Sequence, residues 1–351
     1  MPGPGSGLLG TTLCGVPGNA AGGVRPPDEA PQPSGEYPSA AARLPAGTGR
    51  PAGARRPIGA HVPVSRGLAT GGLRYAAAVG AETIQVFVSN PRGWALAKGD
   101  PEQDAALREH ISQTGMRVFV HAPYLINVGS PDSLIRERST ASLRHSLQRC
   151  ADIGASGVVV HTGSAIAGDQ ARALRRVRDC LLTLLDEIPV GGPELLLEPM
   201  AGQGQMLCGT VADLEPYLDA LDWHPRANVC LDTCHVFAAG HDLAARHAVA
   251  RLLRQLQAVT RDRRGRLRLI HANDSKAACG SRRDLHENIG GGQIGLAAFT
   301  DLLRHPVTAG VPFVVETPGD EPGHARDIAT LQALRDAGAA QTGGPSPGIS
   351  W

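Results

Sequence analysis

Along the middle of the chain, short apolar blocks recur roughly every 25–45 residues, the spacing of successive strand–helix units. They are Ile58–Val62, Thr83–Val88, Arg117–His121, Gly157–His161, Glu194–Glu198, Asn228–Asp232, Leu267–His271 and Pro312–Glu316. Each is short and close to continuously apolar, which reads as a strand buried on both faces. The intervening stretches carry helical periodicity. Gln170–Ile188 (QARALRRVRDCLLTLLDEI) is the clearest, with apolar residues at helical spacing and charges opposite them. Eight strands, each followed by a helical stretch, predict an α/β fold closed into a (β/α)8 TIM barrel. A doubly wound open sheet is the alternative. It calls for a glycine fingerprint after the first strand, and Gly67, Gly71 and Gly72 do not form one.

The pattern fades at both ends. Residues 1–56 are dense in Pro, Gly and Ala and lack apolar periodicity, so they read as a disordered tail that cannot bury enough surface to offset its ordering entropy. Residues 338–351 read as a second, flexible tail, leaving 57–337 as the catalytic barrel domain. With 42% hydrophobic but only 3% aromatic residues, the core must be mainly aliphatic. A formal net charge of +1 excludes a chain that attracts nucleic acid through its overall field, so any affinity for phosphate has to be local. The seven cysteines are odd in number and scattered, without a C-x-x-C pair, which points to a reducing cytoplasm rather than a disulfide framework. Cys230 and Cys234 read as core and loop packing. No run is long enough to span a bilayer, and the first residues do not resemble a signal peptide. No oligomerisation signal stands out, and the expectation is a cytoplasmic monomer.

The chemistry lies at the strand ends. VFVH closes on His121, VVVH on His161, LLLE on Glu198, VCLD on Asp232, RLIH on His271 and FVVE on Glu316. In a (β/α)8 barrel these C-terminal ends point into one mouth. A single such residue is ordinarily a satisfied buried polar group; six of six are not, because unpaired buried carboxylates are costly and bound cations remove that cost. The loops add His235, in D-T-C-H after the sixth strand, and Asp284 and His286, in HANDSKAACGSRRDLH after the seventh. Five imidazoles and four carboxylates without cysteine suit catalytic Zn²⁺ or Mn²⁺, and they are enough, with bridging, for two or three ions.

Several long motifs resemble those of the endonuclease IV (deoxyribonuclease IV) family of abasic-site endonucleases. They are IGAHV at Ile58–Val62, HAPYLIN at His121–Asn127, AGQG at Ala201–Gly204, DTCHVFAAGHD at Asp232–Asp242 and the run from His271 to His286. The resemblance implies three zinc ions per chain, with Mn²⁺ an alternative at one position. One zinc would take His121, His161 and a bridging Glu198. The second would share Glu198 and add Asp232, His271 and Glu316, and the third would take His235, Asp284 and His286. It implies hydrolysis of the phosphodiester 5′ to an abasic site in double-stranded DNA, leaving a 3′-hydroxyl, and clearing of blocked 3′ ends. The attacking group would be a zinc-bound hydroxide, with Glu198 and Glu316 the catalytic carboxylates. Three divalent cations outweigh four carboxylates, which would give the mouth a local positive charge.

The family also implies loops that enter the duplex, here Ser89–Trp94 and Tyr124–Asn127, with Asn90, Arg92, Tyr124 and Leu125 as the DNA-facing residues. Lys276 and Arg282 flank the site as candidate backbone contacts; singly, each reads equally well as a solvated loop charge. Departures from the family pattern are Gly93 for the usual Gln beside the inserting Arg, Leu285 for Arg between the last two ligands, and Pro199–Met200 for Asn-Thr after the bridging Glu. None removes a ligand; they bear on DNA engagement and on the hydrogen bonds behind the ligands. Two rivals remain: a sugar isomerase or epimerase, which needs only Glu198, Asp232, His271 and Glu316, and a non-catalytic binder of damaged DNA.

Overall fold

The computed structural model describes residues 54–166, 168–261 and 265–342; residues 1–53 and 343–351, which hold most of both expected tails, lie outside the described residues. Eight parallel strands close into a barrel: β1 (Ile58–His61), β2 (Thr83–Val86), β3 (Arg117–His121), β4 (Gly157–His161), β5 (Glu194–Glu198), β6 (Ala227–Asp232), β7 (Leu267–His271) and β8 (Phe313–Val315). Neighbours in sequence are neighbours in the sheet, and β8 returns to β1 with Ile58 opposite Phe313. The expected TIM barrel is the fold. Gly59 is a steric requirement of that closure, since a Cβ there would sit 1.6 Å from the carbonyl oxygen of Thr83 on β2.

Three of the long connecting helices start where the sequence supplies Asp caps. Asp100, Asp132 and Asp169 each accept hydrogen bonds from two backbone N–H groups, opening the helices Pro101–Thr114, Ser133–Asp152 and Gln170–Glu187. Each cap contributes about 1 kcal/mol. Apolar faces such as Val177, Leu181, Leu184 and Leu185 pack against the outside of the strands, so the main core is an aliphatic shell between strands and helices. A second cluster fills the barrel interior: Phe119, Val159, Leu196, Cys230, Leu269 and Val314. Side chains two residues apart on a strand share a face. The next inward position on these six strands is therefore His121, His161, Glu198, Asp232, His271 and Glu316. The apolar cluster is the floor on which the candidate ligands stand.

Ordered contacts extend a few residues past the expected 57–337 at both ends. Gly310 donates to the carbonyl oxygen of Ala54 and Phe313 to that of Pro57, so the barrel's contacts begin at residue 54, because a Pro-rich segment still has carbonyls to pair. The last helix, Glu321–Thr342, runs past position 338, where the tail was expected to begin; alanines at 337, 339 and 340 favour the helix more than Gly338 opposes it. A hairpin with two-residue strands, Asp274–Ser275 and His286–Glu287, orders the loop after β7. No helix among the described residues is long and apolar enough to cross a membrane. The six described cysteines are free, and Cys14 lies outside the described residues.

Candidate metal centre

All nine candidate donors converge on the C-terminal mouth. His121 Nε2 and His161 Nε2 lie 3.4 and 3.5 Å from Glu198 Oε2. Across the same carboxylate, His271 Nδ1 is 3.0 Å from Oε1 and 3.2 Å from Glu316 Oε2, with Asp232 Oδ2 at 3.9 Å. At the third corner, Asp284 lies 3.2 Å from His235 Nε2 and 3.1 Å from His286 Nε2. Tetrahedral ligands held at about 2.0–2.1 Å from a zinc ion stand about 3.3–3.4 Å from one another, so these spacings are those of donors around a small cation. Donor atoms fall within 4.8 Å of one another in the sets His121–His161–Glu198 and Glu198–Asp232–His271–Glu316, the same residues as the first two groupings that the family resemblance implies. The third differs in detail: Asp232 joins His235 and His286, while buried Cys234 joins Asp284 and His286. That thiol, read from sequence as packing, has its Sγ 4.0 Å from Asp284 Oδ1.

Three of the rings are pinned from behind. His121 Nδ1 meets the carbonyl oxygen of Ala122 at 2.7 Å, His235 Nδ1 that of Pro199 at 3.1 Å, and His286 Nδ1 that of Glu316 at 3.0 Å. A carbonyl accepts only, so these rings carry the proton on Nδ1 and turn Nε2 to the centre. Asp232 doubles as cap of the short helix Thr233–Ala238, accepting from His235 N at 3.0 Å through Oδ1 while Asn273 donates to Oδ2 at 2.7 Å. Two buried atoms facing the centre, Glu198 Oε2 and His286 Nε2, have no hydrogen-bond partner. Orphans of this kind are costly, and a cation between them removes the cost. The residues fit a metal.

The electrostatics agree. Burial works against charge throughout, yet in the chain alone the carboxylates draw protons onto the imidazoles. Against its own desolvation, His286 is held up at about 9 by Asp232, Asp284 and Glu316. His235 is also well above the ordinary range despite burial, through Asp232, Asp284 and Glu198. Glu198, Asp284 and Glu316 are correspondingly depressed, the charges and hydrogen bonds of neighbouring histidines overcoming desolvation. His161, buried beside His121 and His235, goes the other way, down to about 4, and stays neutral. Protons thus stand where cations would.

The DNA-facing candidates lie around this mouth. Asn90 and Arg92 are in the loop after β2, where Asn90 Oδ1 accepts from Arg92 N at 2.9 Å. Tyr124 N donates to Pro91 O at 2.9 Å, joining this loop to the one after β3. The Tyr124 ring stacks on His161 at 5.7 Å and meets Phe87 edge-on, and its hydroxyl, pushed up to about 12 by burial and then by Glu316 and Glu198, stays neutral. Leu125 is exposed beside it. Arg282 is exposed with left-handed φ of 55°, its N–H held by Ala238 O. Lys276 is exposed too, with Glu287 of the hairpin 3.9 Å away.

Sequence reasoning missed His61 and Gln85. They stand opposite each other in the β1–β2 register and both reach Glu316: His61 Nδ1 at 3.3 Å and Gln85 Nε2 at 2.6 Å from Oε1. The strand-end rule that gives six candidate donors, extended to IGAH, also gives His61. Gln85 lies one residue inside the end of TIQV and escapes the rule. Asn273, which also orders Glu316 by accepting from its N–H at 2.8 Å, had no such signal.

A family model described as a xylose isomerase-like TIM barrel matches residues 73–337. A Streptomyces coelicolor protein named "Probable endonuclease 4" is 54% identical over 275 residues, which cover 78% of this chain and 93% of that protein. The chain belongs to the endonuclease IV family. A more distant relative of the same name, from Methanoculleus marisnigri, is 36% identical over 74% of this chain and 92% of its own length. The crystal structure of endonuclease IV from Thermus thermophilus matches with a TM-score of 0.70 at 29% identity, covering 80% of this chain and 99% of that one. A D-tagatose 3-epimerase-like protein, at 17% identity and a TM-score of 0.63, shares the fold alone.

Proposed function

We propose that this member of the endonuclease IV family is a zinc-dependent DNA-repair endonuclease. It hydrolyses the phosphodiester 5′ to an abasic site in double-stranded DNA, leaves a 3′-hydroxyl and clears blocked 3′ ends. The observation that carries the reading is the convergence of nine N and O donors at cation-like spacing, with Glu198 shared between two sets. A sugar epimerase on this fold has use for the Glu198–Asp232–His271–Glu316 set alone.

His121, His161 and Glu198 would hold one zinc, Glu198, Asp232, His271 and Glu316 a second, and His235, Asp284 and His286 a third, with Mn²⁺ an alternative at one position. Bound there, such ions supply Lewis acidity that activates water at neutral pH and neutralises charge on the phosphate and leaving oxygen. The chain's own work is positional. The carbonyls behind His121, His235 and His286 keep their Nε2 atoms turned inward, Glu198 joins the first two sets, and Glu316 closes the second, 3.2 Å from His271 Nδ1. Arg92, Tyr124 and Leu125 rim the mouth as the groups that fill the stack when the abasic nucleotide is turned out, with Asn90 shaping the Arg92 loop. Lys276 and Arg282, both exposed, would contact the phosphate backbone.

The test is a duplex oligonucleotide with one abasic analogue. Verified metal-free protein should leave it intact, and added zinc should restore incision with a 3′ end that a polymerase extends. Full activity without metal, or no incision by the zinc-loaded protein, would overturn the reading.

A further inference from the structure

His271 differs from the three histidines pinned by carbonyls. Its Nδ1, not its Nε2, faces the centre, with Glu198 Oε1 at 3.0 Å and Glu316 Oε2 at 3.2 Å. For Nδ1 to offer a lone pair there, the ring proton must sit on Nε2. The partner of that nitrogen is a side chain, Gln85, whose Oε1 lies 2.9 Å away. The amide of Gln85 has only one sensible orientation. Its Nε2 lies 2.6 Å from Glu316 Oε1, which only accepts, and 3.0 Å from His61 Nδ1. Glu316 Oε1 alone fixes the amide nitrogen on that side, whichever role is taken by His61 Nδ1, itself 3.3 Å from the same oxygen, and the carbonyl is left for His271. Gln85 is fully buried, so a flipped amide would set its oxygen against a carboxylate with no water to screen it.

We propose that Gln85 is a positioning residue: its carbonyl selects the His271 tautomer that presents Nδ1, and its amide group turns Glu316 so that Oε2 faces the same point. One side chain on β2 thereby orients two donors, one at the end of β7 and one just past β8. The proposal rests on the metal reading above. It commits Gln85 to acting through His271 and Glu316, without contact to substrate.

The experiment compares the wild type with Gln85→Leu, which fills similar volume with no hydrogen bonds, and with Gln85→Met, of equal length, as a second variant should leucine not fold. Metal-free proteins are titrated with zinc against a chromophoric chelator, and the loaded forms are assayed on abasic duplex. Side-chain ¹H–¹⁵N spectra of the zinc-loaded forms report the His271 tautomer. Losing a group that orients a ligand weakens metal affinity or activity by about 10–100-fold. The expected result is that much weaker retention of one zinc equivalent and a comparable fall in kcat, with KM for the duplex unchanged and the Nε2–H signature of His271 lost. A purely structural Gln85 would lower the melting temperature of the metal-free form and leave zinc retention, kcat and the tautomer as in the wild type, and that result would overturn the proposal. A wild type that takes up no zinc would instead overturn the metal reading, so the two failures are distinguishable.

Discussion

On the proposed function, Glu198 and Arg92 would divide the work at the residue scale. Glu198 is buried and has His121, His161, His235 and His271 within 3.5 Å of its carboxylate. Arg92 is exposed on a loop tied to the centre through Pro91 and Tyr124. Glu198→Ala should therefore depress hydrolysis of abasic duplex and of a small phosphodiester alike. Arg92→Ala should slow duplex cleavage by about 10–100-fold and spare the small substrate, because only the duplex has to be unstacked. Gly93→Gln should leave the small substrate unaffected: φ at Gly93 is not left-handed, and the three atoms nearest an added Cβ all belong to the Asn90 side chain, the closest 3.3 Å away. The check is kcat/KM on both substrates at one salt concentration. Equal losses for Arg92→Ala would remove this loop from duplex opening.

At the scale of elements, the barrel is held shut at the end away from the mouth by the last helix. Arg335 on Glu321–Thr342 donates to Glu82, just before β2, at 2.6 Å and to Arg56 O, just before β1, at 2.9 Å. Glu82 in turn accepts from Ile58 N at 3.1 Å. Burial raises the Glu82 carboxyl, but Arg335, Ile58 and Arg55 together hold it below the ordinary glutamate value. A depressed carboxyl contributes stability that is present above the unfolded pKa and is lost as pH falls through the folded one. Arg335→Met should cost about 1–3 kcal/mol near neutrality, less than a fully buried pair because Glu82 is partly exposed and keeps Arg55. The deficit should shrink below about pH 4, as the carboxyl becomes protonated. Denaturant midpoints at the two pH values measure this, and a pH-independent deficit would assign the loss to packing.

The elements also show what could be read in advance. Six strands were legible because each joins three or so apolar residues to a terminal donor, a pattern in which strand period and chemistry coincide. His61 follows the same geometry, but a glutamine inside TIQV looks like strand filling until the register sets it beside His61. The third donor set was legible as a list but not as a shape, because it joins residues some fifty positions apart, and a hairpin with two-residue strands carries no periodic signal.

For the molecule as a whole, the apolar floor of Phe119, Val159, Leu196, Cys230, Leu269 and Val314 makes the barrel a blind-ended well, each of these side chains being no more than 2% exposed. On the proposed function, ions and nucleic acid would both enter and leave from the mouth side of this floor. Occupants would then leave in the reverse of the order in which they arrived, and a bound duplex would act as a stopper on ions beneath it. Saturation with an uncleavable abasic duplex should slow zinc transfer to a chromophoric chelator by at least about tenfold, since release then waits for the duplex to dissociate. Identical transfer rates with and without the duplex would mean the ions have a second exit. If the stopper holds, the enzyme is safest from demetallation while it is at work.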